Sequence, residues 1–403
     1  MVILLPFELT DTIVELTQEL DAWKRLLDIR ILPRTWEGRL RRDLEAEAVA
    51  ASTRMEGVNV TVDEVRRILA GDEPPDVEPD DRQLVSGYRD AMNFVLRQAD
   101  DRAFSWDRGL IVGLHDRVMA GRYDLEAGRL RTDRQVWVRN RATGEDVYLP
   151  PPGEDAEALI AQAADQMQAS TSHSAVQAAW IHIATAAIHP YADGNGRSAR
   201  ILASLAMYRG GFKRREFTSL EEWWGHHLED YYALFTCLGS GWDPATDVTP
   251  FIEGHASAHV RQVRALDLRI RTEQQIWTAL EEASEDVGMD RRLANALWDA
   301  FFGRAVTAGY YRSLTVVSPA TATKDLTTAV AARLLAARGE RRGRRYLAGD
   351  RLYGAVADAL HIDIGSAGSP RDRIVVELGR RLTLSGEAFG LWRRPFADDD
   401  DDG

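Results

Sequence analysis

Apolar residues recur at helical spacing along most of the chain, and proline and glycine mark the breaks between runs. Residues 40–57 put Leu44, Ala48, Ala51 and Met55 on one helical face, with Gly57 as the stop. Ala175 to Ile188 is an apolar, alanine-rich run that predicts a buried helix. Pro190 cannot continue it, because its nitrogen carries no hydrogen and its ring clashes with the preceding turn. Arg197 to Tyr208 predicts the next helix, with Ile201, Leu202, Leu205 and Ala206 apolar and Gly210-Gly211 ending it. Over about 134–150 the period changes: Gln135-Val136-Trp137-Val138, a polar turn around Ala142-Thr143-Gly144, and Val147-Tyr148-Leu149 predict a β-hairpin. Ser318 and Pro319 read as N-cap and first position of a helix that runs to Arg333. Its pattern turns Ala322, Leu326 and Val330 inward and Thr321, Lys324 and Thr328 outward, and a glycine-hinged basic hairpin follows over residues 338–346. Proline and glycine cluster at 71–79, 150–153 and 364–370, and no internal repeat is visible.

Composition narrows the class. A chain of 403 residues can bury the cores of two or three domains. The single cysteine, Cys237, excludes an internal disulfide framework and fits a reducing cytoplasm. The opening Met1 to Leu5 is apolar, but it lacks a basic flank and is cut short by Pro6, so it does not read as a signal peptide. No apolar run approaches the roughly 20 residues of a membrane span. A net charge of −13 argues against general nucleic-acid affinity, and Asp398 to Asp402 read as a solubilising acidic tail.

Residues 189–200, His-Pro-Tyr-Ala-Asp-Gly-Asn-Gly-Arg-Ser-Ala-Arg, carry the chemistry. They form a loop between two predicted helices, and the second helix aims its N-terminus at whatever the loop holds. Unpaired backbone N–H groups and a partial positive charge make such an end an anion site. Gly194 and Gly196 remove side chains where backbone must approach phosphate oxygens, and Arg197 and Arg200 share one helical face and can fork onto phosphates. Asp193 is a hard oxygen ligand suited to magnesium, and His189 titrates near neutrality, as a base for an incoming hydroxyl should. His182, seven residues earlier on the same face, reads as a core histidine.

The stretch resembles the signature of the Fic (filamentation induced by cAMP) family, His-Pro-Phe-x-Asp/Glu-Gly-Asn-Gly-Arg-x-x-Arg. It departs only at Tyr191, whose extra hydroxyl must find a partner or water. The resemblance implies transfer of AMP from ATP to a Ser, Thr or Tyr hydroxyl of a protein. It implies His189 as base, Asp193 as magnesium holder, Gly194, Asn195, Gly196 and Arg197 around the α- and β-phosphates, and Arg200 at the γ-phosphate. Ser52-Thr53-Arg54-Met55-Glu56-Gly57 resembles the family's inhibitory helix, Ser/Thr-x-x-x-Glu-Gly/Asn, which implies that Glu56, with Ser52, partners Arg200 and blocks productive docking of the γ-phosphate. Related sequences more often have Ile at Met55 and Asn or Thr at Val58, differences that touch side-chain contacts and leave the carboxylate in place. The hairpin at 134–150 resembles the family's flap, which aligns a target peptide as an added strand, and Tyr232 resembles a position near the adenine.

The expected fold is therefore mainly α: a Fic-type helical bundle with a small β-hairpin flap, then an α+β winged helix. The expected domains are an N-terminal helical region at 1–105, with the inhibitory helix at about 40–57, and a catalytic core at 106–265. A winged helix-turn-helix module at 270–350 and an extension at 351–403 follow. The last helix and basic hairpin resemble winged helices that follow Fic domains in some bacterial proteins, with Thr321, Lys324, Arg344 and Arg345 as contacts to DNA or an acidic partner. Three readings stay open: an autoinhibited protein adenylyltransferase acting on another protein or itself, an enzyme that removes AMP using Glu56, and a DNA-binding regulator with a nucleotide-sensing site. A homodimer is compatible with each.

Overall fold

The computed structural model describes residues 3–29, 34–69, 71–139, 143–213, 220–340, 343–365 and 369–383. The expected turn residue Ala142, Arg341 and Arg342 of the basic hairpin, part of the 364–370 cluster and the Asp398–Asp402 tail lie outside these residues.

Helices carry the chain almost throughout. In order they are α1 (Asp11–Asp28), α2 (Arg34–Met55), α3 (Val62–Leu69), α4 (Pro79–Gln98), α5 (Arg108–Val118), α6 (Ala156–Ala169), α7 (Ser174–Ile188) and α8 (Asn195–Arg209). Then come α9 (Leu220–His226), α10 (Leu228–Ala233), α11 (Thr249–Glu285), α12 (Ala294–Phe301), α13 (Ala308–Thr315), α14 (Pro319–Ala331), α15 (Asp350–Ala359) and α16 (Pro370–Thr383). Among the described residues two antiparallel hairpins interrupt them, β1 (Val138–Arg139) with β2 (Asp146–Tyr148), and β3 (Leu335–Arg338) with β4 (Arg345–Ala348). Among the described residues no helix is long and apolar enough to cross a membrane. The chain divides into two compact units at Val263/Arg264, inside the continuous helix α11. The boundary expected at 265–270 thus falls where no break in helical periodicity marks it.

In the first unit α7 and α8 pack along each other at the centre. Ile181, Ile183 and Ile188 of α7 meet Ile201, Leu202 and Leu205 of α8 in a core from which water is excluded. Around this pair, α4 and α5 pack on α8, α6 packs on α7, and α2 packs against α3, α4 and α9. Helix α2 is itself core material: Leu44, Ala46, Ala48, Val49, Ala50 and Ala51 are all buried. Small residues on that face let it approach α9 closely, and a Cβ at Gly225 of α9 would touch Ala51.

The flap is shorter than the alternation predicts. Val138 pairs with Tyr148 and Arg139 with Asp146, with a register irregularity between them. Gln135 to Trp137 lie before the first strand, where the Gln135 amide donates to the Pro150 carbonyl. After β2, Leu149 bridges to Gly241, which anchors the base of the hairpin.

The second unit has the order α12, α13, α14, β3, β4. Strand-like contact between Val306 and Tyr346 adds a third edge to the hairpin. The N-cap expected at Ser318 is present, its hydroxyl accepting from the Thr321 N–H at 3.1 Å. The inward stripe is Ala322, Asp325, Leu326 and Ala329, and Val330 is only half-buried. The outward face accordingly runs through Thr323, Lys324 and Thr327, with Thr321 and Thr328 half-buried at its margins. The shift comes from Asp325, a charged residue that is buried because the Arg292 guanidinium grips both its oxygens and the Tyr311 hydroxyl donates to it.

Candidate active site

Helix α7 ends at Ile188 because Pro190 cannot extend it, and His189 turns the chain in the left-handed region with φ of 48°. Its N–H still donates to the Thr185 carbonyl at 3.0 Å. The ring is half-buried, and its Nδ1 faces the Ala186 carbonyl at 3.4 Å. That contact assigns the proton to Nδ1 and leaves Nε2 as the basic nitrogen. Burial pulls the imidazole down to about 4, helped by the nearby Arg131 charge and opposed by Glu56 and Asp193. The near-neutral titration expected of His189 is therefore displaced downward, because charging it would cost desolvation next to another cation.

Buried Arg131, just before the flap, holds this corner. Its backbone N–H donates to the Pro190 carbonyl at 2.9 Å and its Nε to the His189 carbonyl at 2.7 Å. Its Nη2 donates to the carbonyls of Ile188 at 3.0 Å and Pro151 at 2.6 Å. One side chain thus satisfies the helix end and ties it to the segment that closes the flap.

The loop is folded on itself by Asn195. Its Nδ2 donates to the Tyr191 carbonyl at 2.9 Å and its Oδ1 accepts from the Tyr191 N–H at 3.0 Å. The Tyr191 hydroxyl donates to the Ile111 carbonyl at 3.2 Å, which answers the need for a partner. Its ring stacks on His115 with centroids 3.6 Å apart. His115 accepts the Gly128 N–H at Nδ1, 3.0 Å, so Nε2 bears the proton and donates to the Asp193 carbonyl, also 3.0 Å. Burial holds His115 at about 4, in the neutral form that this pairing requires. Asp193 itself is exposed, with one carboxylate oxygen accepting the Gly194 N–H.

Gly194 caps α8 at φ of 77°, a conformation that only glycine adopts readily. Arg197 and Arg200 are both buried, 2% and 3% exposed, in the first turns of α8. The Nε and Nη1 of Arg197 have no hydrogen-bond partner among the described residues, and burial lowers its pKa. Arg200 is fully engaged. Its Nη2 donates to Glu56 Oε1 at 2.8 Å and to the Ser52 carbonyl at 3.1 Å, and its Nε to the Ser52 hydroxyl at 3.0 Å. Burial opposes its charge, but the adjacent Glu56 carboxylate and the hydroxyls of Tyr231 and Tyr88 raise its pKa above the ordinary value. Glu56 sits one residue beyond α2, where Gly57, at φ of 90°, turns the chain away. A Cβ at Gly196 would run into Glu56 Oε1, so the missing side chain is what lets the carboxylate lie over the start of α8.

Loop, α8 and the end of α2 therefore come together around one buried cationic site. Tyr232 lies outside this inner ring, 54% exposed and packed on Tyr231. Tyr231 points inward, with its hydroxyl against His182 Nε2 at 3.0 Å. His182 is a buried core histidine, as its position on α7 implies, bonded to both Tyr231 and His255. Sequence reading missed Arg131, His115 and Tyr231. Arg131 had a signal as the second basic residue of the Gly128–Arg131 run before the flap, and Tyr231 had one as the neighbour of Tyr232 in Asp230-Tyr231-Tyr232.

Residues 105–207 match the Fic/DOC family model. Over 184 residues the chain is 29% identical to a protein adenylyltransferase Fic of Nematostella vectensis, covering 45% of this chain and 39% of that protein. Over 102 residues it is 34% identical to protein adenylyltransferase fic-1 of Caenorhabditis elegans, covering 25% and 19%. The chain thus spans well under half the length of these relatives. A Fic family protein from Desulfovibrio desulfuricans G20 superposes with a TM-score of 0.55 at 23% identity, over 86% of this chain and 98% of that one. A C. elegans Fic-1 fragment gives 0.52 at 22% identity, over 65% and 72%. The chain carries a Fic/DOC-family domain, and its helical fold is the one these proteins share.

Proposed function

We propose that the protein is an adenylyltransferase that moves AMP from ATP to a hydroxyl of a protein, another chain or itself, and that Glu56 holds it in check. The observation that supports this best is the arginine pair at the start of α8: Arg197 is buried with two donor nitrogens unpartnered, and Arg200 already grips a carboxylate. Buried donors without acceptors cost about 1–3 kcal/mol each, and phosphate oxygens are the acceptors that a helix N-terminus and a guanidinium fork suit. This part of the chain lies within residues 105–207, which match the Fic/DOC family model.

In this reading Nε2 of His189 takes the proton of the target hydroxyl. The oxygen bonds to the α-phosphorus, the bond to the β-phosphate bridging oxygen breaks, and pyrophosphate leaves. The residues fit a magnesium held by Asp193 together with substrate phosphates; the described residues hold no cluster of three His, Cys, Asp or Glu that would make a protein-only site. Magnesium would neutralise phosphate charge. The Gly194 to Arg197 backbone and Arg197 hold the α- and β-phosphates, and Arg200 holds the γ-phosphate only when Glu56 releases it. Tyr232, exposed beside Tyr231, is the ring assigned to flank the base, and Trp137, exposed just before β1, is assigned to meet the target. A reducing, cytoplasmic setting accords with the lone Cys237.

The test is incubation with α-³²P-ATP and magnesium, comparing wild type, Glu56→Gly and Glu56→Gly/His189→Ala. Transfer should rise about 10- to 100-fold in Glu56→Gly, since a charged hydrogen bond is worth about 1.5–3 kcal/mol and each 1.4 kcal/mol is tenfold. It should fall by about 10²–10⁴ when His189 is removed as well. Loss of AMP from a modified protein that depends on Glu56, with no transfer in any variant, would favour the removal reading.

A second reading concerns the second unit alone. The order α12, α13, α14, β3, β4, with Val306 bridged to Tyr346, accords with a winged helix. Its α14 face of Thr323, Lys324 and Thr327 is exposed, as are Arg344 and Arg345. We propose that this unit docks duplex DNA with α14 in the major groove and the hairpin arginines on phosphates.

A further inference from the structure

His189 is held in a backbone conformation that its neighbours in the sequence disfavour. It lies in the left-handed region, φ 48° and ψ 58°, and it precedes Pro190, which pushes the residue before it towards extended backbone. A residue stays so strained only where surrounding bonds fix it from several directions. At the end of α7 those bonds can be followed carbonyl by carbonyl. Thr185 receives the His189 N–H at 3.0 Å, and Ala186 faces the ring nitrogen Nδ1 at 3.4 Å. The next four carbonyls take their donors from outside the helix. That of Ala187 accepts the Tyr148 hydroxyl at 3.1 Å. Those of Ile188, His189 and Pro190 accept Nη2, Nε and the backbone N–H of Arg131 in turn.

All of these outside donors lie in one stretch of chain, the β1–β2 hairpin and its lead-in. Arg131 also binds within that stretch, with Nη2 donating to the Pro151 carbonyl at 2.6 Å and Nη1 to the Arg134 carbonyl at 3.4 Å. The two ends of the stretch approach so closely that a Cβ at Gly153 would meet the carbonyls of Thr132 and Arg134. Arg131 and Tyr148 are 5% and 7% exposed, so water does not readily replace them as donors. One planar guanidinium thus joins the helix end to the base of the hairpin, through a fork that an ammonium cannot copy.

We propose that Arg131, supported by Tyr148, is a positioning residue that holds the strained turn at His189, leaves its Nε2 free for the target hydroxyl, and ties that aim to the hairpin. In this turn Nδ1 is engaged at Ala186, so the other ring nitrogen is the one presented. If His189 relaxed to extended backbone, Nδ1 would leave Ala186 and Nε2 would shift, and a misplacement of about 1 Å costs about 10²-fold in rate. Among the described residues the bonds of Arg131 go to carbonyls at 134, 151 and 188–190, and none reaches Gly194 to Arg200. The grip on phosphates is therefore independent of it. This deepens the adenylyltransferase reading and rests on it for the identity of the reaction.

The test uses the full chain in the Glu56→Gly background and measures two quantities, the rate of protein labelling from α-³²P-ATP with magnesium and Kd for ATP by calorimetry. Arg131→Lys keeps the charge and loses the fork. Its labelling rate should fall about 10- to 100-fold while Kd moves less than about twofold. Tyr148→Phe keeps the ring and loses one neutral bond, so its rate should fall about fivefold with Kd again unmoved. A Kd that weakens as much as the rate falls would overturn the proposal, since a general loosening does not spare the phosphate contacts. An unchanged rate in Arg131→Lys would overturn it too. A second arm needs no transfer: ¹⁵N-histidine NMR should show His189 as the Nδ1–H tautomer in the wild type and as a mixture of tautomers in Arg131→Lys. An Nε2–H tautomer in the wild type, or the same tautomer in both proteins, would contradict the claim. If Glu56→Gly labels neither itself nor any lysate protein, the adenylyltransferase reading fails, and the ring nitrogens alone decide the positioning role.

Discussion

Two regions of this molecule offer arginines at the start of a helix or the edge of a turn, and they do so in opposite ways. At 189–200, Arg197 and Arg200 are buried and the loop around them is bonded atom by atom through Asn195, His115 and Arg131. Around α14 and the β3–β4 hairpin, Lys324, Arg344 and Arg345 stand in solvent. The first arrangement is preorganised and desolvated, which favours one ligand geometry and makes each charge strong. The second is screened and adaptable, which suits a repeated phosphate backbone and makes each charge weak. Similar residue types therefore predict different sensitivities.

The largest difference should appear on removing a fold-making side chain of the first region. Asn195→Ala leaves the buried N–H and carbonyl of Tyr191 unpaired, at about 1–3 kcal/mol each. Urea unfolding should show a loss of a few kcal/mol, together with loss of transfer in the Glu56→Gly background. An unchanged midpoint would mean that the loop is not held by Asn195.

Acid should come next. His115, His182, His189, His255 and His259 are all drawn down by burial, His115 and His189 to about 4 and His182 and His259 to about 3. Unfolded, they would titrate near about 6.5. Their neutral burial therefore contributes stability that is complete above about pH 6.5 and falls as pH drops towards 4. Hydrogen exchange resolved by peptide should show α7 and α8 losing protection between pH 7 and 5, after correction for intrinsic rates, while α14 holds its own. Equal losses in both would erase the contrast.

The smallest effect belongs to the exposed set. Arg344→Ala with Arg345→Ala should change stability by less than about 0.5 kcal/mol, as surface changes usually do. Binding to a fluorescent duplex should weaken, with the salt slope reduced by about 2, one for each lost phosphate contact. A slope that does not move would remove these arginines from the interface.

The sequence made the chemistry legible where it is local. The boundaries of α7 and α8 follow from Pro190 and Gly210-Gly211, and the loop residues converge because they are neighbours in the chain. Glu56 could be paired with Arg200 only through resemblance, since 144 residues separate them. His115, Tyr231 and Arg131 were not legible, because their importance lies in which carbonyl or hydroxyl the fold brings to them. On α14 the expected inward Val330 is only half-buried, and Asp325 is buried instead through partners, Arg292 and Tyr311, that only the fold brings to it.

Helix α2 leads directly into Glu56, whose carboxylate occupies Arg200, and the same helix supplies Ala46, Val49 and Ala50 to the core. Swinging it aside would tear open that interior, so it cannot serve as a lid. What can move cheaply is the side chain of Glu56 itself, a half-buried group at the first residue past the helix end. Rotation of one side chain belongs to a much faster class of motion than the hinge opening of a domain, which takes about microseconds to milliseconds. On that footing access to Arg200 is a question of how often another rotamer of Glu56 is visited.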